Sequence, residues 1–192
     1  MTNGSVNAMR VAILLGDNFE QVEMIEPRTA LEAAGAHTTL VSPARGRIHG
    51  VRHDQELLDS FEVDLPLAQA NPEDFDALLL PGGALNADSM RMVPEVREFI
   101  RRMQEAGKPM AVISHAPWEL VSAGVVEGRT LTSYYTLQDD IRNAGGTWLD
   151  REVVRDRNLV TSRQPADIPA FNREMLALFA EHNSHGSEPR AA

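Results

Sequence analysis

The chain has 192 residues, of which 43% are hydrophobic and 24% charged, with a formal net charge of -10 and no cysteine. That length buries one sizeable core, so a single domain is expected. The missing cysteines exclude disulfides and thiolate metal sites. An acidic balance without a basic stripe argues against a nucleic-acid partner, whose phosphates need Lys or Arg to displace their counterions.

No apolar run approaches the length that spans a bilayer, and the N-terminus lacks the basic and apolar regions of a secretion signal. A cytoplasmic protein with no membrane partner is the expectation. Residues 1–9, small and polar, read as a disordered leader, residues 10–182 as the domain, and residues 183–192 as a disordered tail.

Val11-Ala-Ile-Leu-Leu15, closed by Gly16-Asp17, is the short apolar run of a buried parallel strand, with its functional edge at the C-terminal end. Over residues 18–35, Val22, Ile25, Leu31 and Ala34 stand at near-helical spacing, and Gly35 supplies a stop. Pro27 is expected to begin or kink a helical segment there. Thr38-Thr-Leu-Val-Ser42 is a second strand, so the opening reads strand, helix, strand, the unit of a parallel α/β sheet. Residues 43–63 are short, turn-punctuated segments that predict a small hairpin excursion. His49 and His53 lie there without a third ligand at metal spacing, so no metal is expected.

Asp76-Ala-Leu-Leu-Leu80 is a further strand, ending in Pro81-Gly82-Gly83, where backbone amides can approach a bound group. Asp88 follows that turn, and its bland role is a helix cap near Met90. Val96, Phe99, Ile100 and Met103 mark one face of a crossover helix. After the elbow stretch described next come short elements around residues 129–135, 137–144 and 147–161, with a hairpin turn at Asp156-Arg157. A terminal helix through Phe179 carries Ile168, Phe171, Met175 and Leu178 inward.

The centre of the chain is the stretch from Lys108 to Leu120. Met110-Ala-Val-Ile113 is an apolar strand that runs directly into Ser114, His115 and a new helix, with Pro117 where a first helical turn tolerates a missing N–H. A side chain at such a junction stands on a sharp turn beside helix N-terminal amides that stabilise an anion, which suits a nucleophile. A serine before a helix also serves as a cap, and the local pattern leaves both roles open. Glu20 has a similar alternative, as a carboxylate at a helix N-terminus. The stretch does not match the hydrolase pattern Gly-x-Ser-x-Gly, because Val112 and Ala116 occupy the glycine positions.

Ala111-Val-Ile-Ser-His-Ala-Pro117 resembles the elbow of the PfpI-type intracellular protease family. That family belongs to the class I glutamine amidotransferase-like superfamily, here its parkinsonism-associated deglycase branch, and its elbow usually reads Ala-x-x-Cys-His-Gly-Pro. Asn18-Phe-Glu-Gln-Val-Glu23, Phe75-Asp-Ala-Leu-Leu-Leu-Pro-Gly-Gly83, Thr132-Ser-Tyr134, Asp139-Asp140, Asn143-Ala-Gly145 and Thr161-Ser-Arg163 extend the resemblance over most of the chain.

The resemblance implies a flavodoxin-like three-layer sandwich, a mainly parallel sheet with helices on both faces. It further implies a nucleophile at Ser114, a proton-transfer residue at His115, a glutamate bonded to the nucleophile at Glu20, and an acid donated by a neighbouring subunit at Asp88. Backbone amides at Gly82, Gly83 and His115 would form an oxyanion hole, with no cofactor. By the same token it implies a stress-related peptidase or glyoxalase/deglycase acting on a small carbonyl or peptide substrate, and a homo-oligomer, either a dimer or a trimer of dimers. Two positions depart from the family, Ser114 for its cysteine and Ala116 for its glycine. A serine hydroxyl stays protonated where a cysteine becomes thiolate, so the chain is expected to be an inactivated form. The alternative is a non-catalytic stress-response protein binding small carbonyl compounds or partners in the same pocket.

Overall fold

The computed structural model describes residues 4–185. Its main sheet has seven strands, and five of them form the parallel heart. In chain order these are β1 (Arg10–Leu14), β3 (His37–Ser42), β7 (Ala77–Leu80), β8 (Met110–Ile113) and β12 (Leu159–Ser162), and across the sheet they lie β3-β1-β7-β8-β12. Counted along the chain that is the order 2-1-3-4-5, the doubly wound arrangement of the flavodoxin-like fold. Leu65–Pro66 (β6) extends one edge in parallel, and Val154–Asp156 (β11) closes the other antiparallel to β12 through the turn at Arg157. A parallel sheet must be covered on both faces because its crossovers place helices there. Two separate apolar clusters accordingly pack its two sides, and Leu78, Leu79, Leu80, Val112 and Ile113 are fully buried.

A second, three-stranded sheet stands over the C-terminal end of the first. It joins β2 (Phe19–Glu20) to the hairpin of β4 (Arg47–Arg52) and β5 (Glu56–Glu62), with β2 parallel to β4 and β4 antiparallel to β5. This is the expected hairpin excursion. The helices are α1 (Gln21–Ala33), α2 (Ala84–Met90), α3 (Pro94–Glu105), α4 (Pro117–Ala123), α5 (Gln138–Asn143) and α6 (Ile168–His185). The short parallel pair β9 (Thr130–Leu131) and β10 (Thr147–Trp148) completes the chain. Among the described residues no helix is long and apolar enough to cross a membrane.

Three expectations are corrected here. Pro27 does not begin a helix but lies inside α1. Its missing N–H would have met the carbonyl of Glu23, and burial of Met24 and Leu31 on either side holds the helix through that gap. The leader is structured from residue 4: Val6 and Met9 are buried in one of the two clusters, and Ala8 N–H donates to Gly35 O at 2.8 Å. At the other end α6 runs past Phe179 to His185. Residues 1–3 of the expected leader and 186–192 of the expected tail lie outside the described residues.

Candidate active site at the Ser114 elbow

Ser114 follows β8 directly and has φ 63, in the left-handed region. A non-glycine residue held there costs about 1–3 kcal/mol, so the surroundings must fix it. They do so on both sides of the residue. Ser114 N–H donates to Ser162 O at 3.0 Å, continuing the β8–β12 ladder, and Ser114 O accepts from Tyr134 N–H at 2.8 Å. Helix α4 starts only at Pro117, with Ala116 as the residue before it and no side-chain cap. The cap reading of Ser114 therefore falls, and its side chain is free for the cavity. His115 Nδ1 stands 3.4 Å from Ser114 Oγ, and its ring stacks on Tyr134 with centroids 4.4 Å apart.

The carboxyl beside Ser114 belongs to Glu23, not Glu20. Glu23 lies on the first turn of α1 and is fully buried, and its Oε2 accepts the Gly82 N–H at 2.9 Å. A Cβ placed on Gly82 would meet Glu23 Oε2 at 2.4 Å and the Ser114 Cβ at 2.8 Å, so only glycine lets these two side chains close on one point. Burial pushes the Glu23 carboxyl up to about 8; the nearby Glu20 charge adds to the rise, and the Gly82 N–H and the Ser114 side chain oppose it. A helix N-terminus favours a carboxylate by about 1 kcal/mol, too little to outweigh full burial. Glu23 Oε1 has no hydrogen-bond partner among the described residues, which a neutral acid tolerates better than an anion. Glu23 therefore carries its proton at neutral pH.

Glu20 is turned elsewhere by its place in β2, paired with Val51 of β4. Its Oε2 accepts the N–H of His53, at the hairpin tip, at 2.8 Å. Burial raises its proton affinity and the His53 amide opposes the rise. It still lines the cavity, which measures about 130 Å³ and is also bounded by Glu23, His53, Asp54, Gly83, Ser114, His115, Tyr134 and Pro165.

Of the proposed backbone donors, the Gly82 N–H is already engaged by Glu23, whereas Gly83 and His115 face the cavity. Asp88 is exposed inside α2 and does not line the cavity, so it can reach such a site only across a subunit boundary; nor does it cap the helix.

Three residues were missed in the sequence. Glu23, three positions after Glu20, was given no role, although an acid among Val22, Met24 and Ile25 on an apolar face was a signal. Asn86 is fully buried and joins two strand ends, accepting from Gly16 N–H at 2.7 Å and donating to the carbonyls of Pro81 and Gly82 at 3.2 and 3.1 Å. Asp54, at the hairpin tip, carried no signal. No group of three or more His, Asp or Glu residues among those described is arranged to hold a metal ion.

A strained residue between a central strand and a helix, at the C-terminal edge of a doubly wound sheet and beside a buried acid and a histidine, defines a doubly wound α/β protein with a sharp strand-to-helix elbow. The chain belongs to the DJ-1/PfpI family, which it matches over residues 9–178. It is 42% identical over 170 residues to the deglycase PfpI of Pyrococcus furiosus, covering 88% of this chain and 99% of that one. The putative cysteine protease YraA of Bacillus subtilis is 35% identical over 169 residues, covering 88% of this chain and 97% of the relative. The crystal structure of Drosophila melanogaster DJ-1beta superimposes with a TM-score of 0.81 at 27% identity, covering 93% of this chain and 95% of that one. The flavodoxin-like sandwich is thus the family's fold.

Proposed function

We propose that this chain is a PfpI-type hydrolase-like protein whose chemistry is directed at a small carbonyl or peptide substrate by residue 114, and that with serine there it turns over little. The observation that carries the reading is the strained Ser114 backbone set against the protonated Glu23 carboxyl across Gly82. In this scheme residue 114 attacks a carbonyl carbon, its proton passes to His115 Nδ1, and the oxyanion is met by the Gly83 and His115 amides. Loss of such a donor typically costs about 3 kcal/mol of transition-state stabilisation. Glu23, neutral near pH 7, is the acid that can return a proton to a leaving or carbonyl oxygen. The names carried by the relatives, deglycase and cysteine protease, support the class of chemistry and leave two substrate types to separate by assay.

Serine supplies the same geometry without the ion, since an alcohol stays protonated where a thiol beside a helix N-terminus is partly thiolate. That feature also favours a second reading, a non-catalytic protein that binds small carbonyl compounds or partners in this cavity. Ser114→Cys separates the two: dicarbonyl loss and peptide-ester cleavage should rise in parallel assays if the hydrolase reading holds. No gain with either substrate sinks it.

The proposal extends to a cytoplasmic, stress-related role and to a homo-oligomer, a dimer or a trimer of dimers, in which Asp88 reaches another subunit's cavity. Light scattering showing a monomer at micromolar concentration, or full activity in Asp88→Asn on the cysteine background, counts against that shared site.

A further inference from the structure

Asp54 has no role in the scheme above. It sits with His53 at the tip between β4 and β5, and both residues have positive φ, 56 and 53. Two successive left-handed residues make the tight turn that suits a twisted β-ribbon, but Asn-Gly or Asp-Gly is the usual occupant; a histidine followed by an aspartate keeps backbone strain. The tip is tied down from two directions. The His53 N–H donates to Glu20 Oε2 at 2.8 Å, and Asp54 Oδ1 accepts the N–H of Ala84, the first residue of α2, at 2.8 Å. Held in this way, Asp54 forms part of the wall of the cavity that also holds Ser114, His115 and Tyr134, and only its Oδ1 is taken by the Ala84 N–H.

We propose that Asp54 is a positioning residue for His115, supplying from the same chain the negative charge that stabilises the imidazolium formed when His115 takes the proton of residue 114. The inference rests on the proton-transfer role given to His115 above. The step balances within the site: the O–H bond of residue 114 breaks, its proton bonds to Nδ1, the oxygen's electron pair forms the bond to the carbonyl carbon, and the C=O π pair moves onto the carbonyl oxygen as the oxyanion. Asp54 takes no proton in this step, as the acid of a Ser-His-Asp arrangement takes none.

The groups facing this cavity that carry or can carry charge are Glu20, Glu23, His53, Asp54, His115 and Tyr134. Glu23 is neutral up to about pH 8, and Glu20 is occupied by the hairpin amide. Burial lowers the proton affinity of His115, and Asp54 is the charge that acts against it. The acid expected in trans at Asp88 thus has a counterpart in cis, on an element that reaches the site by a hairpin.

The test uses the intact chain with Ser114 in place, so it does not depend on turnover. The His115 ring is titrated by NMR, its signals assigned by their loss in His115→Gln. Asp54→Asn keeps an oxygen for the Ala84 N–H and deletes the charge; His115 should then titrate lower by about half a pH unit or more. Asp54→Glu should restore most of the original value, and Glu20→Gln, which keeps an oxygen for the His53 N–H, should leave it in place. An unmoved His115 in Asp54→Asn, or an Asp54→Glu protein that titrates like the Asn variant, overturns the proposal. On the cysteine background the acidic limb of the pH–rate profile should move with His115. A shifted titration in a cysteine protein that turns over neither substrate would support the Asp54–His115 coupling and reject the hydrolase reading.

Discussion

Glu23→Gln should flatten the decline of stability with pH. The folded-state carboxyl has a proton affinity raised from 4.5 to about 8, because it is fully enclosed. Between those pH values the native state holds a proton that the unfolded chain releases, so unfolding gives up a proton and stability falls as pH rises. Each pH unit is worth about 1.4 kcal/mol, so the loss reaches ~3 kcal/mol by pH 7 and ~5 kcal/mol above pH 8, as an upper bound. Below about pH 4.5 both states bind the proton and the contribution is complete. Glutamine keeps an acceptor for the Gly82 N–H and cannot ionise. Urea denaturation of both proteins at intervals from pH 5 to 8.5 reads the effect, and the difference in unfolding free energy should grow steadily in favour of the variant. Glu119 is also buried with a strongly raised proton affinity and adds a similar decline to both proteins, so the comparison isolates Glu23. Parallel curves for the two proteins would show that Glu23 is not a buried neutral acid, and its proton-donating role would go with it.

Gly82→Ala should destabilise by about 1–3 kcal/mol, because its Cβ would fall within 2.9 Å of Glu23 Oε2, Ser114 Cβ and Ile113 O, and calorimetry showing no loss would mean that the contact is looser than described. Asn86→Ala should cost about 3 kcal/mol in urea denaturation, since it deletes three hydrogen bonds and strands the Gly16 N–H. Both oxygens of Glu119 are buried without a hydrogen-bond partner among the described residues, so Glu119→Met should hold or raise stability by about 1 kcal/mol; a loss above about 2 kcal/mol would reveal that the carboxyl does bind something.

How far the sequence could be read depended on whether a feature was local. The run Met110–Ile113 followed by Ser-His-x-Pro announced strand, elbow and helix together, because apolar content, an abrupt stop and a proline at the first helical turn all lie within eight residues. That the main sheet is parallel followed from the alternation of strand and helix. Glu20 and Glu23 could not be told apart in this way. Which carboxyl meets Ser114 depends on where a two-residue strand gives way to α1, and that boundary is set by pairing with Val51, thirty-one positions later. Asp54 was hidden for a related reason, since its turn has neither glycine nor asparagine and its partner, Ala84, is remote in sequence. Val6 and Met9 were lost because two apolar residues are too few to show a period, although tertiary packing buries both.

The hairpin that carries His53 and Asp54 has a consequence for how proteins of this shape can diverge. Its ladder contact with the rest of the molecule is the brief pairing of Phe19 with Gly50 and Glu20 with Val51, and none of its strands belongs to the seven-stranded sheet. Residues can therefore be added to or removed from its outer half without altering the register of a core strand. Ser114, by contrast, is locked to Ser162 and Tyr134 by backbone bonds that allow no such drift. Position 114 and the residues that overhang it are thus free to evolve at different rates: a lineage could reshape the cavity by redrawing a surface loop while leaving its elbow untouched.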